Sequence, residues 1–373
     1  MPKHNPQPST INVKYLFLLI LLVPILAQAY VTWRLWALLP LPVWGKVVVS
    51  VALAAAFALC VCSVLPLLDR FPMAVSAAIY HIGTSWLMIL LYFFMLFILL
   101  DVLRLCHLVP ATWLHDSWRG TLAVFATIAV LFTYGYFHYL HKERVELPLQ
   151  TSKPLARPLR IVMTSDWHLG YHNRRSELAR WIDLINAEHP DLVLIAGDII
   201  DRSQRPLRDE HMADEFHRLT APVYACLGNH EYISGVPGAL DFYREAGIHL
   251  LQDSVATVGD LVIIGRDDRM RPRRKPLDAL MAGVPKDKYL ILLDHQPYHL
   301  EEAEAAGIDF ELAGHTHHGQ LWPASWITDA LYECAFGPHQ RGSTRYYVSS
   351  GLGIWGGKFR IGTRSEYIVA DIH

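Results

Sequence analysis

The sequence predicts a two-part protein in which four membrane-spanning helices precede a soluble α/β domain. Two observations carry this prediction. The first 140 residues hold four long apolar stretches, and the remainder alternates short β-branched runs with helical patterns. The whole chain has 18% charged residues, as in an ordinary soluble protein, because a very apolar half is averaged with a polar one. The net charge of −2 does not suggest nucleic-acid binding.

The N-terminal part, residues 1–140, is predicted to be a transmembrane module. Its apolar stretches each approach the ~20 residues needed to cross a bilayer, and they lie at about 15–33, 47–68, 80–100 and 120–140. None carries Asp, Glu, Lys or Arg well inside it, and Trp33 and Trp118 lie near their ends, as is usual at membrane interfaces. Buried helices in a soluble core are disfavoured, since four such stretches would leave that core almost no polar face.

Basic residues near the span ends predict the side of the membrane that the second half occupies. With four spans, the N-terminus, the loop 69–79 and the segment after residue 140 share one side and contribute six Lys and Arg residues, against four on the other side. By the positive-inside rule the second half is expected in the cytoplasm. Residues 1–29 also have the form of a signal peptide, because Lys14 precedes an apolar run that ends in Ala27-Gln28-Ala29. Cleavage would leave the predicted side unchanged.

Residues 141–158 are predicted to be an extended connector. The composition becomes charged there, and Pro148, Pro154 and Pro158 disfavour a continued helix. The domain boundary is therefore placed at this connector. The 215 residues of 159–373 suffice for one large domain with its own core.

The C-terminal domain is predicted to be an α/β fold. Short apolar or β-branched runs, each bounded by Gly, Asp or Pro, occur at 159–165, 191–196, 222–227, 261–264, 289–293, 308–313, 345–350 and 367–370. Residues 176–188 have helical spacing between the first two runs. Alternating strands and helices imply a sheet whose faces are covered by helices.

Five of these runs are followed closely by residues that can ligate a metal. They are Asp166 and His168, then Asp198, then Asn229, then His295, then His315 and His317. The carboxyl ends of strands in open α/β sheets form a common crevice, so these residues are expected to converge. Singly, each motif is equally consistent with turn chemistry or a surface pair, and the joint occurrence favours a metal site.

Carboxylate, imidazole and amide ligands suit two divalent ions such as Mn, Fe or Zn. The five cysteines include no CxxC pair, which argues against a structural zinc site. Two ions can share one carboxylate and one hydroxide and promote in-line displacement at phosphorus. Asp198 is the best candidate for the shared ligand.

The motifs resemble those of the calcineurin-like metallophosphoesterase superfamily. They are Asp166-x-His168, Gly197-Asp198-x-x-Asp201-Arg202, Gly228-Asn229-His230-Glu231, His295 and Gly314-His315-x-His317. Asp294-His-Gln-Pro and Ser349-Ser-Gly-Leu-Gly further resemble the bacterial membrane-associated branch, so a plasma (inner) membrane is expected. The resemblance covers 159–373 and implies an αββα two-sheet sandwich, which the strand pattern alone does not distinguish from a doubly wound single sheet.

The resemblance also implies a role for each site residue. The first metal would be held by Asp166, His168, Asp198 and His317, and the second by Asp198, Asn229, His295 and His315. His230 would face the substrate without being a ligand and would stabilise charge or protonate the leaving oxygen. Asp201 would orient His230.

The expected function is hydrolysis of a phosphodiester or pyrophosphate bond by a metal-bridging hydroxide. Aromatic residues at Trp322, Trp326, Tyr332 and Phe336 suggest an apolar lip for a lipid-linked ester, such as a substrate of the UDP-2,3-diacylglucosamine hydrolases, although ordinary packing would also explain them. The alternatives are a phosphoprotein or phosphomonoester phosphatase and a non-enzymatic membrane sensor.

Overall fold

The computed structural model describes residues 13–65 and 67–373, with side chains from residue 22 onward. Within these residues the chain forms two compact units, a helical unit up to Phe132 and a second unit that contains Thr133–His373 together with Pro72–Ala77. Residues 1–12 lie outside the described part, and they include Lys3, one of the six basic residues counted on the predicted cytoplasmic side.

The N-terminal helices extend beyond the predicted spans at several ends. They are α1 (Val13–Leu38), α2 (Val43–Ser63), α3 (Met73–Leu105) and α4 (Trp118–Leu140). In the described residues α2, α3 and α4 are long and apolar enough to cross a membrane. The described residues thus hold three candidate spans where four were predicted. The first predicted span, 15–33, lies in α1, whose side chains are described only over 22–38, a stretch shorter than the ~20 residues that a span needs.

The longer helices bring charged residues into the helical unit near the ends of α1 and α3. Arg34 is buried and lies 2.9 Å from the Asp101 carboxylate. The Tyr30 hydroxyl donates a hydrogen bond of 2.6 Å to the same carboxylate. The charge of the buried Arg34 is therefore paired with that of Asp101, as burial of a charge requires.

The second unit is built on two six-stranded sheets. Its strands in the described chain are β1 (Lys142–Leu149), β2 (Leu159–Thr164), β3 (Leu192–Ala196), β4 (Val223–Cys226), β5 (His249–Leu250), β6 (Ser254–Val258), β7 (Leu261–Gly265), β8 (Tyr289–Leu293), β9 (Phe310–Ala313), β10 (Gly337–Arg341), β11 (Thr344–Val348) and β12 (Ser365–Ile372). The first sheet has the order β1-β12-β2-β3-β4-β5 and the second β10-β11-β9-β8-β7-β6. Strands β2 to β5 are parallel to one another, as are β7, β8 and β9.

Helices cover the outer faces of both sheets. The shorter helices of this unit are α5 (Arg175–Ala187), α6 (Arg205–Asp209), α7 (Ala213–Phe216), α8 (Asn229–Ser234), α9 (Val236–Glu245), α10 (Leu277–Leu280), α11 (Leu300–Ala306) and α12 (Ala324–Leu331). Apolar residues of α5, α7 and α9 pack on the first sheet, and those of α10 and α11 on the second. A third core joins the inner faces of the two sheets. The two-sheet αββα sandwich is thus confirmed over a doubly wound single sheet.

The predicted connector is partly wrong, because residues 142–149 form the edge strand β1. This strand pairs in parallel with β12, from Lys142 opposite Ser365 to Leu149 opposite Ile372. Pro148 is tolerated because one side of an edge strand has no partner that needs its N–H. The charges of β1 had suggested a solvated linker, and its half-exposed edge position explains why they are present.

The last turns of α4 pack within the second unit. The Tyr139 hydroxyl donates a hydrogen bond of 2.7 Å to Asn173, and the Gly135 carbonyl accepts one of 2.9 Å from the Arg360 amide. Asn173 in turn donates to the carbonyls of Trp167 and His168, at 3.0 and 3.2 Å. The end of this helix is therefore joined directly to the loop that follows β2.

Helices α2 and α3 approach closely at Gly83, and we expect a larger side chain there to force them apart. A Cβ at this position would lie 2.4 Å from the Leu59 carbonyl oxygen. Gly83→Val should lower the melting temperature of the purified full chain in detergent, since overpacking typically costs ~1–3 kcal/mol. Ala78→Val, at an exposed position of α3, is the control. Equal melting temperatures for both variants would contradict this packing.

Candidate metal centre

All seven predicted ligands lie just beyond the carboxyl ends of five strands. Three of these strands, β2, β3 and β4, belong to the first sheet, and two, β8 and β9, to the second. Because the sheets pack face to face, the loops that follow these strands meet at one edge of the sandwich. The structure thus brings together side chains that are up to 151 residues apart, from Asp166 to His317.

The first group of ligand atoms surrounds the two imidazoles of His168 and His317. Their Nε2 atoms lie 3.0 Å apart. The Asp166 Oδ1 atom is 3.4 Å from His317 Nε2 and 3.7 Å from His168 Nε2. The Asp198 Oδ2 atom is also 3.7 Å from His168 Nε2. Two nitrogens and two oxygens therefore converge.

The second group shares the same carboxylate oxygen of Asp198. Its Oδ2 atom is 3.0 Å from His295 Nε2. The Asn229 Oδ1 atom is 3.1 Å from His295 Nε2 and 2.8 Å from His315 Nδ1. Asp198 therefore stands between the two groups, with one oxygen facing an imidazole of each.

The spacing of these atoms fits divalent metal ions. Ligands at about 2.1 Å from a shared ion are about 3.0–3.4 Å apart in tetrahedral or octahedral arrangements. The donor set of imidazole, carboxylate and amide oxygen suits Mn, Fe or Zn and does not select one of them. Nδ1 of His295 hydrogen-bonds the Ala196 carbonyl at 2.7 Å, which leaves Nε2 to face the group, as metal-binding histidines usually do.

Backbone conformation aims several ligands at the centre. The residues Asp166, His168, Asp198, His315 and His317 have φ between 47° and 70°. Such left-handed conformations are uncommon outside glycine and concentrate at functional sites. The loop after β4 also approaches Asp198 so closely that only glycine fits at position 228, since a Cβ there would lie 2.2 Å from Asp198 Oδ1.

Electrostatics within the centre favour ionised carboxylates. Burial opposes the charge of Asp198, but the neighbouring imidazoles of His295 and His230 hold its pKa well below the usual range. Burial also opposes the charge of His168, yet hydrogen bonds to Asp166 and Asp201 raise its pKa to about 10. Burial lowers the pKa of His315 to about 4. A metal ion bound through His168 would displace this proton, so metal affinity is expected to rise with pH.

His230 differs from the seven ligands in its contacts. Its Nδ1 atom lies 2.7 Å from the backbone carbonyl of Asp201, and its backbone N–H donates to Asp198 Oδ1 at 2.8 Å. The Asp201 carboxylate is 3.4 Å from His230 Nδ1 and 3.3 Å from His168 Nδ1. Asp201 therefore contacts both imidazoles, and its shorter contact to His230 is made by the backbone.

Comparison with known proteins places this chain in a family. A sequence model described as calcineurin-like phosphoesterase matches residues 159–319. An uncharacterized metallophosphoesterase of Aquifex aeolicus is 32% identical over 250 residues, which cover 63% of this chain and 95% of the relative. The chain belongs to the calcineurin-like phosphoesterase family. The resemblance drawn from the motifs is confirmed.

Two further relatives are longer than the region that they share with this chain. An uncharacterized metallophosphoesterase of Campylobacter jejuni is 32% identical over 225 residues, covering 58% of this chain and 60% of the relative. A Danio rerio protein described as a transmembrane protein with metallophosphoesterase domain is 31% identical over 272 residues, covering 67% of this chain and 62% of the relative. The chain thus spans about three fifths of the length of these two relatives.

Glu231 supports the candidate metal centre, a role that its sequence motif did not predict. Its buried carboxylate accepts hydrogen bonds from the backbone N–H groups of Asp198, Ile200 and Gly228 at 3.1, 2.9 and 2.7 Å. It thereby ties the loop after β3 to the loop after β4. Its place in the Gly-Asn-His-Glu motif was the available signal.

Arg360 is a second supporting residue that the sequence analysis missed. The guanidinium is fully buried and donates to the backbone carbonyls of His317, Ser350 and Gly353. Burial lowers its pKa to about 10, so it stays charged at neutral pH. The surrounding loop carries no pattern that distinguishes this arginine from a solvated one, so sequence inspection alone could not find it.

We expect Arg360→Leu to destabilise the domain and loosen the His317 loop. Several buried carbonyls would lose their donor, which should lower the free energy of unfolding by at least about 3 kcal/mol. Arg157→Leu, at an exposed residue paired with Asp191, is the matched control and should change little. Thermal unfolding and metal content of both variants would be measured. An Arg360→Leu protein with unchanged stability and metal content would contradict the supporting role.

Proposed function

We propose that this chain is a membrane-anchored phosphoesterase that hydrolyses a phosphodiester or pyrophosphate bond with two divalent metal ions. The observation that carries the proposal is the position of Asp198, whose Oδ2 atom lies 3.0 Å from His295 in one ligand group and 3.7 Å from His168 in the other. A shared carboxylate between two ligand groups is the arrangement that two-metal hydrolysis requires.

The ligand roles in this proposal follow the two groups of atoms. Asp166, His168, Asp198 and His317 hold the first ion, and Asp198, Asn229, His295 and His315 hold the second. Such ions would polarise the phosphoryl oxygens and lower the pKa of a water molecule between them. The protein supplies the fixed positions, because five of the seven proposed ligands are buried and Asn229 and His315 are half-buried.

His230 is proposed to act on the substrate and Asp201 to position it. The contact between Nδ1 and the Asp201 carbonyl fixes the ring and leaves Nε2 for the phosphoryl or leaving-group oxygen. The side chain of His230 is partly exposed, whereas His168 and His295 are buried, so a substrate can reach it. A purely binding module would not need such a group, which favours an enzyme over a sensor.

The membrane assignment has further parts that we propose here. We propose that α1 is a fourth span and that the phosphoesterase domain lies on the cytoplasmic face of a bacterial plasma membrane. The excess of Lys and Arg on that side supports this orientation. The Danio rerio relative is described as a transmembrane protein, in keeping with this assignment.

A lipid-linked ester is the proposed substrate class. Trp322 and Trp326 are exposed, whereas Tyr332 and Phe336 are half-buried and packed against Tyr298 and His318. Tyr332 and Phe336 are therefore explained by packing inside the protein, whereas Trp322 and Trp326 pack against each other and stay exposed to solvent. Trp322 and Trp326 follow the proposed ligand His317 along the chain, and their exposed rings would cover an acyl chain, which a water-soluble ester does not have.

Asn229→Ala and His230→Ala should separate metal binding from chemistry. Asn229→Ala removes an oxygen of the second group, so we expect lower metal content and lower turnover. His230→Ala should keep the metal content and reduce kcat by about 10²–10⁴-fold, the usual contribution of a positioned proton donor. His189→Ala, at an exposed histidine, is the matched control. Equal metal loss in the two site variants would contradict the assignment.

The substrate class is tested by metal analysis of the purified full chain and a screen of phosphate esters. We expect two divalent ions per chain and hydrolysis of diesters or pyrophosphates, with a higher kcat/KM for lipid-linked esters than for short-chain analogues. Removal of the metal by a chelator should abolish turnover, and added Mn, Fe or Zn should restore it. Selective hydrolysis of monoesters would overturn the diesterase assignment, and equal activity on both chain lengths would overturn the lipid-linked class.

A further inference from the structure

Helix α12 and the residue Trp322 before it present a solvent-exposed apolar face in the described part of the chain. Trp326, Ile327 and Leu331 are 64%, 62% and 66% exposed, whereas Ser325 is buried. Trp322 precedes the helix and packs edge-to-face against Trp326 at 5.2 Å between ring centroids. Large apolar side chains that are clustered and exposed usually mark a binding surface. We call these four side chains the α12 face.

The α12 face is joined by short contacts to a candidate membrane span. The Trp322 amide donates a hydrogen bond of 2.7 Å to the Ile361 carbonyl, and the neighbouring Arg360 amide donates one of 2.9 Å to Gly135 of α4. A Cβ on Gly135 would lie 2.8 Å from the Ile361 side chain, so the two segments are in close contact. The two residues Arg360 and Ile361 therefore lie between the α12 face and α4.

The depth of Gly135 in the span places this contact near the membrane surface. Helix α4 has 23 residues, which at 1.5 Å each give about 34 Å, slightly more than the ~30 Å hydrocarbon core. Gly135 lies five residues before the helix ends at Leu140, or roughly 7–8 Å along the axis. This is the region where hydrocarbon gives way to headgroups, which is also where tryptophan accumulates.

The polar surroundings of α12 also suit a membrane surface. Arg269 lies over the Tyr298 ring at 4.3 Å, and the Tyr298 and Tyr332 hydroxyls are 3.0 Å apart, directly beyond Leu331. Arg269 and the nearby Arg273 are exposed. The one acidic residue of the helix, Asp329, lies 3.4 Å from His318. Exposed arginines beside apolar side chains bind anionic headgroups.

We propose that the α12 face lies in the headgroup and upper acyl region of the same bilayer that α4 crosses. Its four apolar side chains enter the lipid, and the arginines beside it contact anionic headgroups. A bilayer is favoured over a partner protein because the face adjoins a candidate span at interfacial depth. The proposal concerns membrane contact alone and does not depend on the hydrolytic reaction.

This docking would hold the metal centre beside the membrane surface. The ring of Tyr332, which follows the α12 face directly, lies 6.4 Å from the ring of the ligand His315. A phosphoester in the bilayer surface could then reach the centre without leaving the membrane fully.

The test uses the full chain in nanodiscs that contain anionic lipid. Cys62 and Cys106 are replaced by Ser, since Cys60, Cys226 and Cys334 are buried. Ile327→Cys and, as control, Lys286→Cys at an exposed position are labelled with an environment-sensitive fluorophore. We expect a blue-shifted emission at position 327 that nitroxide lipids quench severalfold more strongly than at position 286. Leu331→Cys should behave as position 327 does, which guards against a local folding defect.

Two results would overturn the proposal. One is water-like emission at positions 327 and 331 with no quenching by nitroxide lipids. The other is a blue shift that lipid nitroxides do not quench and that grows with protein concentration, which would show that a second copy covers the face. Because the readout is fluorescence, its outcome is independent of whether the proposed phosphoesterase activity is found.

Discussion

The carboxylate of Asp198 is the group on which the arrangement of this molecule depends. One of its oxygens accepts a hydrogen bond from the His230 backbone, and the other faces imidazoles of both ligand groups. These imidazoles come from the first sheet through His168 and from the second through His295. Convergence on one side chain therefore requires the two sheets to stay packed in one register, and the core between them provides this.

The supporting contacts explain how such a crowded centre is held. The carboxylate of Glu231 and the guanidinium of Arg360 are both buried, and both bind backbone groups of the loops that carry ligands. These contacts hold the left-handed residues of the loops in place, although each such conformation costs about 1–3 kcal/mol of conformational free energy. The centre is therefore costly to build and rigid, which suits a site that must keep ligand atoms about 3 Å apart.

The same loop connects the centre to a candidate membrane span. The side chain of Arg360 donates to the His317 carbonyl, and its backbone N–H donates to Gly135 of α4. Asn173 makes a second connection of this kind, because it accepts a hydrogen bond from the Tyr139 hydroxyl and donates one to the carbonyl of His168. Two ligand loops are thus hydrogen-bonded, through one residue each, to the end of a helix long enough to cross a bilayer. This continuity is the physical basis for seeking the substrate at the membrane surface.

The sequence by itself determined which side chains would converge at the candidate metal centre, because each follows an apolar run that a strand must bury, and strand ends are predictable from local composition. It also determined the positions of three apolar helices, since length and hydropathy suffice. Only the tertiary structure decided the features that depend on contacts between residues far apart in the sequence. It distinguished two packed sheets from a doubly wound single sheet, put 142–149 on a sheet edge, and showed which backbone groups Arg360 and Glu231 bind. Burial and hydrogen-bond partners distinguish such residues from solvated ones, and neither can be read from neighbours along the chain.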